Sequence, residues 1–282
     1  MKSNKLFITI SGAVIGIIAV LLVKFGNPAN MGFCIACFIR DTAGALKLHS
    51  APIVQYIRPE IIGLVLGSSI VAFAKKELIA RTGSNPLIRF VLGFFVMIGA
   101  LMFLGCPLRM MLRIGGGDFN AIIGLVGFVI GIGIGILALN KGFSLNRSYK
   151  VSSSESIVFP IIQIIFLAIL VLAPSLLAFS SEGPGSMHAP ILISLAAGLI
   201  VGGLAQRTRF CTVAGIRDSI MFKEFSMLYG FIALIVITVI VNLVFGYFNP
   251  GFEAQPVAHT DGLWNCLGMA LVGFGSVLLG GC

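Results

Sequence analysis

Phe33-Cys34-Ile35-Ala36-Cys37-Phe38-Ile39-Arg40-Asp41 returns 177 positions later as Phe210-Cys211-Thr212-Val213-Ala214-Gly215-Ile216-Arg217-Asp218. Five of the nine positions are identical, and they include a cysteine and a charged pair in a chain with only six cysteines and about 10% charged residues. A recurrence of that kind marks internal repetition, which constrains the fold before any local propensity does. A second mark follows each copy: Gly105-Cys106-Pro107-Leu108-Arg109 after the first, and Gly281-Cys282 at the end of the chain. The order is motif one, motif two, motif one, motif two; the chain is built twice.

Hydrophobic residues make up 58% of the sequence and the mean hydropathy is +1.07. So much apolar surface cannot stay in water, and the composition is that of an integral membrane protein. Helical spans need roughly 17–25 apolar residues. The sequence supplies them at Leu6–Val23, Leu87–Leu104, Phe119–Leu139, Ile157–Phe179, Ala189–Ala205, Met227–Phe248 and Leu263–Gly281, with a shorter one at Ile61–Ala74. Barrel strands would instead alternate in tens. The expectation is therefore an all-α, polytopic transmembrane bundle of eight spans. Residues 27–49 are too polar to cross and too rich in Gly and Ala for an ordinary loop, which suits a re-entrant segment. Lys2 and Lys5 before an apolar run resemble a signal peptide, but no small-residue cleavage site follows, so the run reads as the first span.

The repeat then sets the organisation: a first unit at residues 1–140, a linker loop and linker span at 141–187, and a second unit at 188–282. Four spans return the chain to its starting side and the lone linker span carries it across, so the second unit should be inverted, as in many secondary transporters. The first unit has a span after its Gly-Cys mark and the second stops at Cys282; a ninth helix is expected beyond it.

The net charge of +9 does not point to nucleic acid here, because Lys and Arg in a membrane protein mainly hold loops on the cytoplasmic side. With the N-terminus inside, thirteen basic residues fall in cytoplasmic segments (Lys2, Lys5, Lys75, Lys76, Arg81, Arg89, Lys141, Arg147, Lys150, Arg207, Arg209, Arg217, Lys223) and six outside (Lys24, Arg40, Lys47, Arg58, Arg109, Arg113). Cys34 and Cys106 then approach from outside, Cys211 and Cys282 from inside. A bacterial cytoplasmic membrane is the expected location.

Thiols at a narrow point of a membrane path can donate weak S–H hydrogen bonds or act as soft nucleophiles, and nearby Arg residues and helix N-termini attract anions. Soft thiols with fixed positive charge suit a small sulfur or selenium anion. The substrate-pathway candidates are Cys34, Cys106, Cys211 and Cys282 with Arg40, Arg109 and Arg217, and Asp41 and Asp218 are structural charge partners. Two alternatives stay open: Arg40–Asp41 and Arg217–Asp218 either brace a half-helix end or face substrate, and Arg109 either attracts substrate or anchors an interface. Cys34 and Cys37 form a Cys-x2-Cys, yet position 214 of the second copy is Ala, which weakens a redox-pair or metal reading. Cys266 has no repeat partner and reads as core. The Gly-rich runs at 127–135 and 198–203 allow close helix packing in any membrane bundle. No metal-ligand or nucleotide-binding pattern is present, and no cofactor is expected. Asp and Glu are nearly absent from the spans, so the sequence marks no proton path.

On the segments 33–41, 105–109, 210–218 and 280–282 the sequence resembles the YeeE/YedE family of bacterial inner-membrane proteins, and within it the branch associated with selenium metabolism. The likeness extends to Gly183-Pro184-Gly185-Ser186-Met187-His188 and Gln255-Pro256-Val257-Ala258-His259-Thr260-Asp261-Gly262. The resemblance implies an hourglass-shaped helical transporter whose loops meet at the centre, with cysteines passing thiosulfate inward through transient S–H hydrogen bonds, a role that falls by motif on Cys34, Cys106, Cys211 and Cys282. The expected function is import of a small sulfur- or selenium-containing species and not catalysis. The rival is a membrane thiol oxidoreductase or sulfur/selenium transferase component using Cys34 with Cys37 or a persulfide. A cytoplasmic sulfur-carrier protein is a partner compatible with either.

Overall fold

The computed structural model describes residues 2–78, 80–146 and 148–281. Helices dominate it: α1 (Lys2–Lys24), α2 (Ile35–Ala45), α3 (Pro59–Ala74), α4 (Pro86–Met102), α5 (Pro107–Gly115), α6 (Phe119–Asn140), α7 (Ser153–Leu172), α8 (Ile191–Thr208), α9 (Thr212–Phe222), α10 (Ser226–Phe245) and α11 (Gly262–Leu279). The two strands, β1 (Arg81–Gly83) and β2 (Ser148–Lys150), form one small antiparallel pair with Thr82 opposite Tyr149.

Seven of the described helical segments are long and apolar enough to cross a membrane, and α3, at 16 residues, is the shorter eighth that hydropathy marked. The linker span ends early. Pro174 opens a single 3-10 turn at Pro174–Leu176, so α7 stops at Leu172 and not at Phe179. By contrast α2, α5 and α9 have 11, 9 and 11 residues. At about 1.5 Å of rise per residue such helices reach only about halfway through a hydrocarbon core some 30 Å thick. Each follows one of the repeated cysteines.

The long helices pair as α1 on α10, α3 on α8, α4 on α11 and α6 on α11. α1 and α8 each precede one copy of the repeated Cys motif, and α3 and α10 each follow the short helix that it heads, so the first two interfaces are counterparts. Glycine makes these approaches close. A Cβ at Gly131 would run into the Ala270 carbonyl, and one at Gly198 into the Glu60 carbonyl; the Gly runs pack helices and have no other visible task. Outward-facing Ile, Leu, Val and Phe on α4, α6, α7 and α10 remain exposed, a surface suited to lipid.

The two ends of the bundle differ. At one end the β1–β2 pair joins the Lys- and Arg-bearing loops, Arg209 bonds Glu77 at 3.2 Å, and Lys5 lies 4.0 Å from Glu224. At the other, the loops after α2, α5, α7 and α10 knit together: Ala178 N–H donates to the Ala45 carbonyl, Gln55 N–H to Ser180 Oγ, and Asn249 N–H to the Gly116 carbonyl.

Candidate functional site

Leu104, Arg209 and Gly280 each end a long helix in the left-handed region, at φ 57°, 56° and 92°. All three stand two positions before a repeated cysteine. A left-handed residue is a common helix stop, and non-glycine residues enter it at a cost. After it the chain reverses, and Cys106 or Cys211 takes the extended conformation of a helix N-cap; Cys34 does the same ahead of α2. N-caps usually carry Ser, Thr, Asp or Asn, whose oxygens satisfy the free amides of the first turn. A thiol is a weaker acceptor. Cys34 Sγ accepts from Cys37 N–H at 3.3 Å.

The first pair of cysteines meets. The Cys34 thiol lies beside both Cys37 and Cys106. Cys106 Sγ in turn faces the backbone amides of Ile35, Ala36 and Arg109, so the N-termini of α2 and α5 converge on one sulfur. Cys34 and Cys37 are fully buried and Cys106 nearly so. Beside them a cavity of about 200 Å³ runs between α2, α4 and α5, walled by Ile35, Ala36, Val96, Met97 and Pro107, with Cys106 in its lining. Close approach of the first loop depends on Gly32, where a Cβ would strike the Ala19 carbonyl.

The second copies of the two motifs also come close to each other. Cys211 Sγ is the nearest atom to Gly281, 3.6 Å from where a Cβ there would lie, so the second copies of motifs one and two adjoin. Cys211 packs against the same continuous core that contains Cys34 and Cys106. Cys282 and Arg147 lie outside the described residues.

Arg109 is buried completely on α5. Its Nε donates to the Asn30 carbonyl at 3.2 Å, Nη2 to the carbonyls of Pro256 and Val257 at 3.2 and 3.1 Å, and Nη1 to the Leu104 carbonyl while standing 3.9 Å from Cys37 Sγ. The guanidinium thus ties together three loops around the cysteines. No carboxylate pairs with it among the described residues.

Arg40 and Asp41 are placed differently. Asp41 is buried; its Oδ1 accepts from Arg40 Nε and Nη2 at 3.2 and 2.8 Å, and its Oδ2 from Arg58 Nε and Nη2 at 3.0 and 2.9 Å. Arg58 also donates to the Pro184 and Met187 carbonyls at 2.6 and 2.9 Å and lies over the Phe38 and Tyr56 rings. Arg217 and Asp218 pair at 2.8 Å, with about a quarter of each side chain exposed. Both Arg-Asp pairs are therefore engaged with themselves on the short helices, Asp41 with Arg58 as well.

Sequence reasoning missed several groups. Arg58 and Arg113, counted as outer-loop charges, are buried. Arg113 pairs with Asp118 at 2.6 Å and stacks on Phe103, while Nη2 has no partner. Glu60, at the start of α3, is buried with Asn27 and Ser194. Position alone could have flagged it, since a Pro-Glu pair opening an apolar run is a helix start. Among the described residues no group of three or more His, Cys, Asp or Glu is placed to hold a metal.

Half-length, cysteine-headed helices folded among long apolar ones define a multi-pass helical membrane protein with buried re-entrant segments. The chain is similar to the thiosulfate transporter TsuA of Escherichia coli (strain K12), at 34% identity over 96 residues, which is 34% of this chain. The matched stretch spans 27% of that transporter's length. No protein-family model matches the chain.

Proposed function

We propose that this protein carries a small sulfur anion, thiosulfate in the first instance, across the membrane along a path lined by Cys34 and Cys106 from one side and by Cys211 and Cys282 from the other. The observation that supports this most is the convergence of the α2 and α5 N-termini on Cys106, with Arg109 beside Cys37. First-turn amides held only by weakly accepting thiols, together with the helix dipoles, make such a point attractive to an anion, and more so in a water-poor interior. The thiols add weak donors, which hold a soft sulfur atom without trapping it. The similarity to a thiosulfate transporter supports the same choice of substrate class.

On this reading residues 1–140 and 188–282 are two inverted units, each supplying half of the path, and residues 141–187 join them. The counterpart packing of α1 on α10 and α3 on α8 supports that division. The Lys/Arg-rich end, with the N-terminus, faces the cytoplasm of a bacterial inner membrane, where a sulfur-carrier protein could take delivery. Selenium oxyanions share the charge and softness of thiosulfate and are the second substrate to try. Arg40, Arg217 and their Asp partners act by holding the short helices, and Arg109 both fixes the loops and draws the anion in.

Uptake of radiolabelled thiosulfate and selenite, in competition, by cells carrying the full chain or Cys34→Ala, Cys106→Ala and Cys211→Ala variants tests this. Cysteine-dependent uptake is the expected result. Absence of uptake of either anion by a correctly inserted protein refutes it.

A further inference from the structure

Glu60 is the buried acid that hydropathy did not reveal. Its Oε1 accepts from Asn27 Nδ2 at 2.8 Å and from Ser194 Oγ at 2.9 Å, and its Oε2 is buried with no partner. No cation pairs with it among the described residues. The groups around it are accounted for. On its own segment, Arg58 is committed to Asp41 and two carbonyls, and Tyr56 stacks on His188, 4.1 Å between centroids. Arg40 and Asp41 on α2 are paired with each other, α8 offers the neutral Ser194, and α7 presents Gln163 beside Ile62 and Arg58. Lys24, at the end of α1, is turned to the Phe245 ring.

The carboxyl group therefore meets only neutral donors, and one of its oxygens is left unsatisfied in the interior. The group is also wired to the path: Asn27 Nδ2, which bonds Glu60, reaches the Gly32 carbonyl at 3.3 Å, two residues before Cys34, and Asn27 Oδ1 accepts from Ala189 N–H at 2.8 Å ahead of α8. A change of charge at Glu60 acts on the loop that presents Cys34 and on the α3–α8 contact together.

We propose that Glu60 is the proton-binding site that couples anion uptake to the proton gradient, an inference that rests on the transport reading above. The need for a coupling ion is physical. Each negative charge moved toward a negative interior loses about fifty-fold in accumulation per 100 mV. Each proton carried along regains about tenfold per pH unit of gradient.

The test uses the full chain in proteoliposomes with labelled thiosulfate. For the wild type, an imposed pH gradient drives accumulation about tenfold higher per pH unit, and thiosulfate addition acidifies a pyranine-loaded interior. Glu60→Gln keeps the Asn27 and Ser194 bonds but cannot release a proton, so it should retain thiosulfate/thiosulfate exchange and lose gradient-driven accumulation. Wild-type flux that ignores the pH gradient and moves no protons overturns the proposal without needing any variant, as does gradient-driven accumulation by Glu60→Gln equal to the wild type. A wild type that moves no thiosulfate at all, even in exchange, refutes the transport reading itself.

Discussion

Asp41→Ala and Asp218→Ala delete the same residue from the two copies of one motif, and they should differ severalfold in cost. Asp41 is fully buried and takes four N–H donors from two guanidinium groups, one of which, Arg58, is itself fully buried. Removing one partner of a buried pair strands the other, at about 3–5 kcal/mol. Arg58 retains its two carbonyls and two aromatic faces, which keeps it in place but leaves its charge uncompensated. Among the described residues Asp218 pairs with its neighbour Arg217 alone, and the two side chains are 26% and 24% exposed. A pair so open to solvent is worth about 0–1 kcal/mol. Reversible unfolding in bicelles, followed by steric trapping with tags at both ends of the chain, reads both values on one scale. Equal losses, or a larger loss for Asp218→Ala, would refute the assignment of Asp41 as the centre of a buried brace.

Cys34→Ala and Cys106→Ala should each lower thiosulfate uptake at least about tenfold, the effect of some 1.4 kcal/mol of lost stabilisation along the path, while Cys37→Ala and Cys266→Ala stay within about twofold; a Cys37→Ala variant as inactive as Cys34→Ala would favour thiol redox chemistry over transport. Gly131→Ala should cost about 1–3 kcal/mol in the same unfolding assay, because its Cβ meets the Ala270 backbone, whereas Gly133→Ala, with open space around it, should be neutral or stabilising. Arg109→Lys cannot reach the carbonyls of Asn30, Leu104, Pro256 and Val257 at once, and each one left buried and unpaired costs about 1–3 kcal/mol. Release of the 254–258 loop should then show as faster Glu-C cleavage at the exposed Glu253.

The apolar spans were legible because a membrane helix is read from composition alone, and all eight appear close to their expected limits, with α7 cut short at Pro174. The cysteines were legible because they recur, and the structure adds a reason for their spacing: each of Cys106 and Cys211 follows a left-handed residue by two positions and heads a half-length helix. The partners of Arg109 were not legible. Pro256 and Val257 are some 147 residues away, and a carbonyl oxygen leaves no trace in the identity of its side chain. Nor was the burial of Arg58 and Arg113. Counting charges by loop assigns a residue to a side of the membrane and says nothing of depth, so three arginines booked as outer-surface charges turn out to be fully enclosed.

The same limit explains why the two Arg-Asp pairs, identical in sequence, have different surroundings. What separates them lies outside the motif, just ahead of the next long helix. The residue before α3 is Arg58 and the helix opens with Pro59 and Glu60, whereas α10 is preceded by Phe225 and opens with Ser226 and Met227. The first unit thereby gains a buried cation for Asp41 and a buried acid for Asn27 and Ser194, both bonded across to the segment 184–194. Among the described residues the second copy has neither at these positions, and its Arg217–Asp218 pair stays about a quarter exposed. The two copies of the motif each supply a cysteine-headed helix of 11 residues. Substitutions at a few positions next to one copy bury an ion pair and an acid beside it, and the other copy keeps a pair partly open to solvent.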